Sequence, residues 1–192
     1  MATTMISDNK LKETLTHPNT LTLARVVSIP LIVLLLLFPN RPCTFIAALI
    51  FSAASITDYL DGYYARTRGL VSNLGKMMDP LADKLMVSSA LIMIVSHGWI
   101  PAWVVCVIVG REIAVTGLRV VMVDGGKDVS ASNLGKYKTG FQIAAIIPLL
   151  IHFPYFGLNF HAIGMFFLWG ALIFTLWSGM DYFANYGKLL KS

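Results

Sequence analysis

Charge is what this sequence has least of. Of its 192 residues, 13% are Asp, Glu, Lys or Arg, about half the share of an ordinary soluble domain. Acids are the scarcer kind, 10 against 15 bases, and there are only 4 histidines. With 56% apolar residues and a mean hydropathy of +0.70, this excludes a disordered chain and a soluble enzyme of usual composition. Cysteine is nearly absent. Cys43 and Cys106 stand alone in apolar runs without CxxC spacing, which excludes a disulfide scaffold and gives no sign of a zinc or redox pair. Alternating polar and apolar residues over strand lengths are missing too, so a β-barrel is not expected. The net charge of +5 reads, in a chain this apolar, as lysines and arginines at a membrane face rather than a nucleic-acid surface.

What is present is a series of long apolar runs. A membrane-spanning helix needs roughly 20 mainly apolar residues. Six segments qualify: Leu21–Phe38, Cys43–Tyr64, Leu74–Ser96, Ile100–Met122, Leu134–Phe153 and Phe160–Phe183. Turn residues separate them, among them Pro39-Asn40-Arg41-Pro42, His97-Gly98, Asp124-Gly125-Gly126 and the stretch from Pro154 to Asn159. Asp8 and Glu13 precede the first run and no small-residue cleavage site follows it, so it reads as a retained helix, not a signal peptide. Residues 9–15, with Lys10, Leu11, Lys12, Glu13 and Leu15, are either a short amphipathic helix on the membrane surface or a tail. The expectation is an all-α integral membrane protein of one domain. Residues 1–17 form a juxtamembrane segment and 18–188 a six-helix bundle.

Six spans put both termini on one side. That side holds Lys10, Lys12, Arg66, Arg68, Lys76, Arg119, Lys127, Lys136, Lys138, Lys188 and Lys191, and the other only Arg41. The positive-inside rule makes the first side cytoplasmic.

Ionisable groups within spans are costly, about 2.5–3.5 kcal/mol each on insertion scales, and here they gather at the cytoplasmic ends. Asp58 and Asp61 close the second span, Asp79 and Asp83 open the third, and Arg25, Arg111 and Glu112 lie in cytoplasmic halves. One polar cavity open to the cytoplasm accounts for all of them. Asp58 and Asp61 are i,i+3, and Asp79 and Asp83 are i,i+4, so each pair shares a helix face. A short connection containing Gly69 makes the two helices antiparallel neighbours. Four facing carboxylates repel one another and call for cations. Hard divalent ions, Mg²⁺ or Mn²⁺, suit an all-oxygen set, and two such ions can clamp a phosphoryl transfer. Gly62 and Gly75 leave room for a nucleotide to approach the backbone. Arg66, one turn after Gly62, can meet a phosphate.

Written out, the segment is Asp58-x2-Asp61-Gly62-x2-Ala65-Arg66-x8-Gly75-x3-Asp79-x3-Asp83. It resembles, at every fixed position, the signature of the CDP-alcohol phosphatidyltransferase family. That resemblance implies a six-helix membrane enzyme, usually a homodimer, with its site at the cytoplasmic interface. It further implies that Asp58, Asp61 and Asp79 ligate two divalent metals, with Asp83 as ligand and general base. Thr57, Asp58, Gly62, Ala65, Arg66, Gly75 and Asp79 would border the cytidine diphosphate part of the lipid substrate.

A second stretch is similar to the bacterial branch of the family whose acceptor is glycerol 3-phosphate. It runs Gly110-Arg111-Glu112 through Arg119, then Gly135-Lys136-Tyr137-Lys138-Thr139 and Gln142. Pro18-Asn19-Thr20-Leu21-Thr22-Leu23-Ala24-Arg25 resembles that branch's opening. The implied substrates are CDP-diacylglycerol and glycerol 3-phosphate, in a bacterial inner or plasma membrane. The physics agrees, because a small dianion needs fixed positive charge. Arg111 and Arg119 lie eight residues apart, about 80° round a helix, so both can face the cavity. Lys136 and Lys138 reach it from the start of the fifth span, and Glu112 orients one of these bases.

Three other acceptors share the signature: phosphatidylglycerol, as in a cardiolipin synthase, inositol phosphate, and serine. A divalent-cation transporter is the rival of another class. His152 and His161 read as interface residues, Trp103, Trp169, Trp177 and Tyr155 as anchors or packing, and the last 50 residues as apolar helix adding little beyond length.

Overall fold

The computed structural model describes residues 18–68, 73–124 and 133–189. Residues 18–22, 58–68, 73–80, 120–121, 123–124, 133–134, 136 and 185–189 are placed by backbone alone, their side chains lying outside the described set. The described residues form six helices: α1 Pro18–Leu36, α2 Arg41–Arg68, α3 Asn73–Ser96, α4 Ala102–Asp124, α5 Asn133–Ile151 and α6 Phe160–Leu189. The surface helix weighed for residues 9–15 and the connection through Gly69 lie outside the described residues.

Local chemistry sets the helix ends. Asn40 Oδ1 accepts the Cys43 N–H at 2.9 Å, and Asn159 Oδ1 accepts the Ala162 N–H at 3.0 Å. Each asparagine thereby satisfies one of the amides that the first turn leaves without a helical acceptor. At the end of α3, Gly98 takes a left-handed φ of 69°. Its N–H reaches Val95 O at 2.8 Å and that of Trp99 reaches Ile94 O at 3.3 Å, a Schellman closure in which a side chain at residue 98 would be strained. Between α5 and α6, Tyr155 and Leu158 exchange backbone hydrogen bonds across Phe156 and Gly157, both at positive φ. That is a mirror-image two-residue turn.

The chain divides into two compact units, 1–90 and 91–192. In the first, α1 packs on α2. Ile32, Leu36, Ala47, Ala48 and Phe51 are buried, and Ser28 Oγ donates to Arg25 O at 2.7 Å and meets Met86 Sδ of α3 at 3.8 Å. In the second, α6 packs on α5 and, less extensively, on α4. The α5–α6 seam buries Ala145, Ile146, Leu149 and Leu150 against Leu168, Ala171 and Leu172.

Two glycines let that seam close. A Cβ on Gly164 would stand 2.5 Å from Leu149 Cγ and 2.9 Å from its backbone nitrogen, and one on Gly170 would stand 2.7 Å from Phe141 Cδ1. Small residues at such points allow two backbones to approach. Gly164→Ala should therefore separate the helices and destabilise the protein by about 1–3 kcal/mol. Thermal unfolding in detergent measures this, and an unchanged midpoint would contradict the packing.

The tightest ring cluster lies at the α3–α4 and α5–α6 turns. Trp99 stacks on His152 with centroids 3.8 Å apart, and His161 stands edge-on to His152 at 5.1 Å.

Among the described residues one helix, Phe160–Ala184 within α6, is by itself long and apolar enough to cross a membrane. Leu23–Leu36, Arg41–Thr57 and Tyr137–Ile151 are shorter apolar stretches. The six apolar segments of the sequence thus appear as six helices, and one meets the spanning criterion unaided. Helix α4 carries Arg111, Glu112 and Arg119 within its apolar run.

Candidate active site

The four signature aspartates lie on two helices that run unbroken through them. Asp58 and Asp61 fall in α2, with Gly62, Ala65 and Arg66 following in the same helix, and Gly75, Asp79 and Asp83 fall in α3. The i,i+3 and i,i+4 spacings are therefore real helical registers, and each pair shares a face. Asp83 is half-buried. The side chains of Asp58, Asp61, Arg66 and Asp79 lie outside the described residues, as does that of Lys136. Among the described residues no three His, Cys, Asp or Glu side chains gather closely enough to hold a metal ion. Thr57 uses its hydroxyl within its own helix, donating to Ala53 O at 2.8 Å.

The second group of residues is resolved in side-chain detail. Lys138 of α5 is buried, and its Nζ donates to Glu112 Oε1 of α4. The same oxygen accepts Arg111 Nη1 at 3.3 Å. One carboxylate thus holds two cations in the protein interior, where side-chain exposure is 13% for Arg111, 9% for Glu112 and 6% for Lys138. A buried charge persists only when paired and hydrogen-bonded. Two cationic side chains thus meet at one carboxylate, a donor-rich arrangement of the kind that suits an anion. Arg111 Nε is buried without a hydrogen-bond partner, and so is Gln142 Nε2, one turn beyond Lys138 on α5. Both are N–H donors of the kind that a phosphate oxygen accepts.

Glu112, expected to orient one of these bases, contacts two of them. Arg119 is not part of the group. It is exposed, two turns along α4, while Arg111 points inward. The 80° separation expected from an ideal helix is enough to take one side chain into the interior and leave the other outside.

A contribution from α6 was not foreseen. Arg111 Nη2 donates to Ser178 Oγ at 2.9 Å, and Ser178 Oγ in turn donates to Thr175 O at 3.2 Å. Thr175, Leu176, Gly179, Met180 and Phe183 line, with Arg111, a cavity of about 440 Å³. The one available signal was the placement of Thr175, Ser178 and Gly179 on one side of an otherwise apolar helix.

The architecture and signature agree with the wider relationships of the chain. The model of the CDP-alcohol phosphatidyltransferase family matches residues 15–177. A Bacillus subtilis protein named CDP-diacylglycerol–glycerol-3-phosphate 3-phosphatidyltransferase is 45% identical over 187 residues, covering 91% of this chain and 97% of its own length. Proteins of the same name from Rickettsia typhi and Escherichia coli K12 are 38% and 37% identical, each over 86% of this chain and more than nine-tenths of their own. The match takes in every helix that carries a signature aspartate or a member of the Arg111–Glu112–Lys138 group, and the chain belongs to the CDP-alcohol phosphatidyltransferase family.

Proposed function

We propose that this protein transfers the phosphatidyl group of CDP-diacylglycerol to the primary hydroxyl of glycerol 3-phosphate, giving phosphatidylglycerophosphate and CMP. The observation that carries the reading is the buried pair of cations, Arg111 and Lys138, held by Glu112 in a chain that bears the family signature. Relatives of matching length named for this reaction support it.

The signature aspartates form the donor set for divalent cations. Asp58, Asp61, Asp79 and Asp83 offer only hard carboxylate oxygens, in two helical pairs, which fits Mg²⁺ or Mn²⁺ better than softer metals. Bound there, two ions supply charge neutralisation for the diphosphate and for the departing CMP. Thr57, Gly62, Ala65, Arg66 and Gly75 border the cytidine diphosphate group. Arg111, Lys136 and Lys138 hold the phosphate of the acceptor. Asp83 takes the proton of the primary hydroxyl. The hydroxyl oxygen bonds to the β-phosphorus as the bond to the CMP oxygen breaks, and CMP leaves as the anion. No covalent enzyme intermediate is required, so phosphorus inverts.

The six helices span a bacterial inner or plasma membrane, with both termini and the aspartates at the cytoplasmic side and the acyl chains in the bilayer. Apolar side chains facing outward on α1 and α6, among them Val27, Leu34, Phe166, Trp177 and Met180, support a lipid surround, because a helix apolar on all sides needs an apolar solvent. The resemblance to the family supports a homodimer.

The test is CMP release by the purified protein with CDP-diacylglycerol and Mg²⁺ or Mn²⁺. Glycerol 3-phosphate, inositol phosphate, serine and phosphatidylglycerol are offered singly. Release with glycerol 3-phosphate alone, lost on chelation, is the expected result. Release with another acceptor would reassign Arg111 and Lys138. Cation flux into proteoliposomes without CMP release would favour a transporter.

A further inference from the structure

We propose that Ser178 of α6 is a positioning residue for the acceptor phosphate, acting through Arg111. The proposal rests on the reading of Arg111 as a phosphate ligand, and it extends the acceptor site to a helix that its sequence marks only as a membrane anchor.

Arginine has five donors in a rigid fork, and its value to a phosphate depends on where that fork points. In this structure two neighbours fix it. Glu112 Oε1 takes Nη1 at 3.3 Å and Ser178 Oγ takes Nη2 at 2.9 Å. The first is long for a charge-assisted hydrogen bond and the second is of normal length, so the serine is the closer constraint. Glu112 is also committed to Lys138. Ser178 is buried at 1% exposure, and its proton is used on Thr175 O, 3.2 Å away. The hydroxyl therefore presents lone pairs, not its proton, to the guanidinium. An i−3 back-bond of this kind also limits rotation about the serine side chain. Backbone geometry holds the acceptor in place, and the acceptor holds the arginine.

Gly179, the next residue, narrows the space further. A Cβ there would stand 3.3 Å from Arg111 Cγ and 3.7 Å from its Nε. The aliphatic part of Arg111 thus passes close to the α6 backbone. A methyl at 179 would move the arginine stem by a few tenths of an ångström, with no backbone atom in its way. With this alignment, Nε is buried and unpaired, so the fork retains a donor after both structural contacts are made.

The experiment compares Ser178→Ala, Ser178→Thr, Gly179→Ala and Arg111→Ala for KM of glycerol 3-phosphate, KM of CDP-diacylglycerol and kcat. Ser178→Ala should raise KM for glycerol 3-phosphate roughly tenfold, the low end for a hydrogen bond to a charged group. KM for the lipid should stay within about twofold, a change too small to count as a lost interaction. Ser178→Thr retains the hydroxyl and should recover most of the loss. Gly179→Ala should raise the same KM without a fall in thermal stability, because alanine favours the helix. If Arg111→Ala raises that KM while neither α6 variant does, Ser178 has no positioning role and the acceptor reading stands. If Arg111→Ala leaves it unchanged, the reading itself fails. A loss spread equally over both substrates and stability in Ser178→Ala would show a merely structural role. Should Ser178→Ala not be recovered folded, Gly179→Ala decides.

Discussion

Asp83→Asn should retain binding of the CDP-lipid and lose turnover. Asparagine preserves the shape and one oxygen of the carboxylate but has no basic site near neutral pH. A positioned general base contributes typically 10²- to 10⁴-fold, so CMP release should fall by at least about 100-fold. The residue lies one turn after Asp79 within the continuous helix α3 and is half-buried, so the substitution removes a charge without opening the core. Single-turnover CMP release, measured beside retention of the CDP-lipid on the detergent-solubilised protein, separates chemistry from binding. Turnover above a tenth of the parent's would remove Asp83 as the base. Loss of lipid binding together with turnover would make it mainly a metal ligand.

Glu112→Gln should have the largest effect on stability. Its Oε1 is the shared acceptor of Lys138 and Arg111, and all three side chains are largely buried. Removing one partner of a buried ion pair costs about 3–5 kcal/mol, because the remaining charge is left without compensation. Here Arg111 and Lys138 would both lose that shared acceptor. Thermal unfolding in detergent reads the loss. The paired change Glu112→Gln with Lys138→Met removes both charges and should recover most of the stability, since an ion pair replaced by apolar groups is often neutral. Activity should not return, because Lys138 is also needed for the acceptor phosphate. Recovery of both would make the pair purely structural, and recovery of neither would place the energetic cost on Arg111.

Much of the fold is legible as apolar runs separated by turn residues. The expected segments and the six helices agree to within two or three residues at most ends, since Pro, Asn and Gly stop helices by local backbone chemistry. Two ends differ more. Helix α2 continues to Arg68 and α6 to Leu189, beyond the expected Tyr64 and Phe183. Hydropathy marks where lipid should end, whereas a helix continues as long as its backbone bonds do. The signature aspartates were legible because one helix brings i and i+3 or i+4 together without help. Arg111 and Lys138 were legible as charges out of place in apolar surroundings. Ser178 was not. It lies 67 positions from Arg111, and a serine in an apolar helix has the same pattern whether it faces lipid, a backbone carbonyl or another helix's guanidinium.

The Lys138–Glu112 contact joins α4 to α5, and on the proposed membrane reading this bears on how the two helices would enter a bilayer. Helix α6 is apolar enough over Phe160–Ala184 to enter alone. Helices α4 and α5 each carry an ionisable group at a position that ends up buried, Glu112 and Lys138. A lysine or a glutamate entering singly bears its own insertion penalty, whereas the two entering bonded to each other share a nearly neutral surface. On that reading, α4 and α5 would lower the penalty by entering together, with Glu112 and Lys138 already in contact.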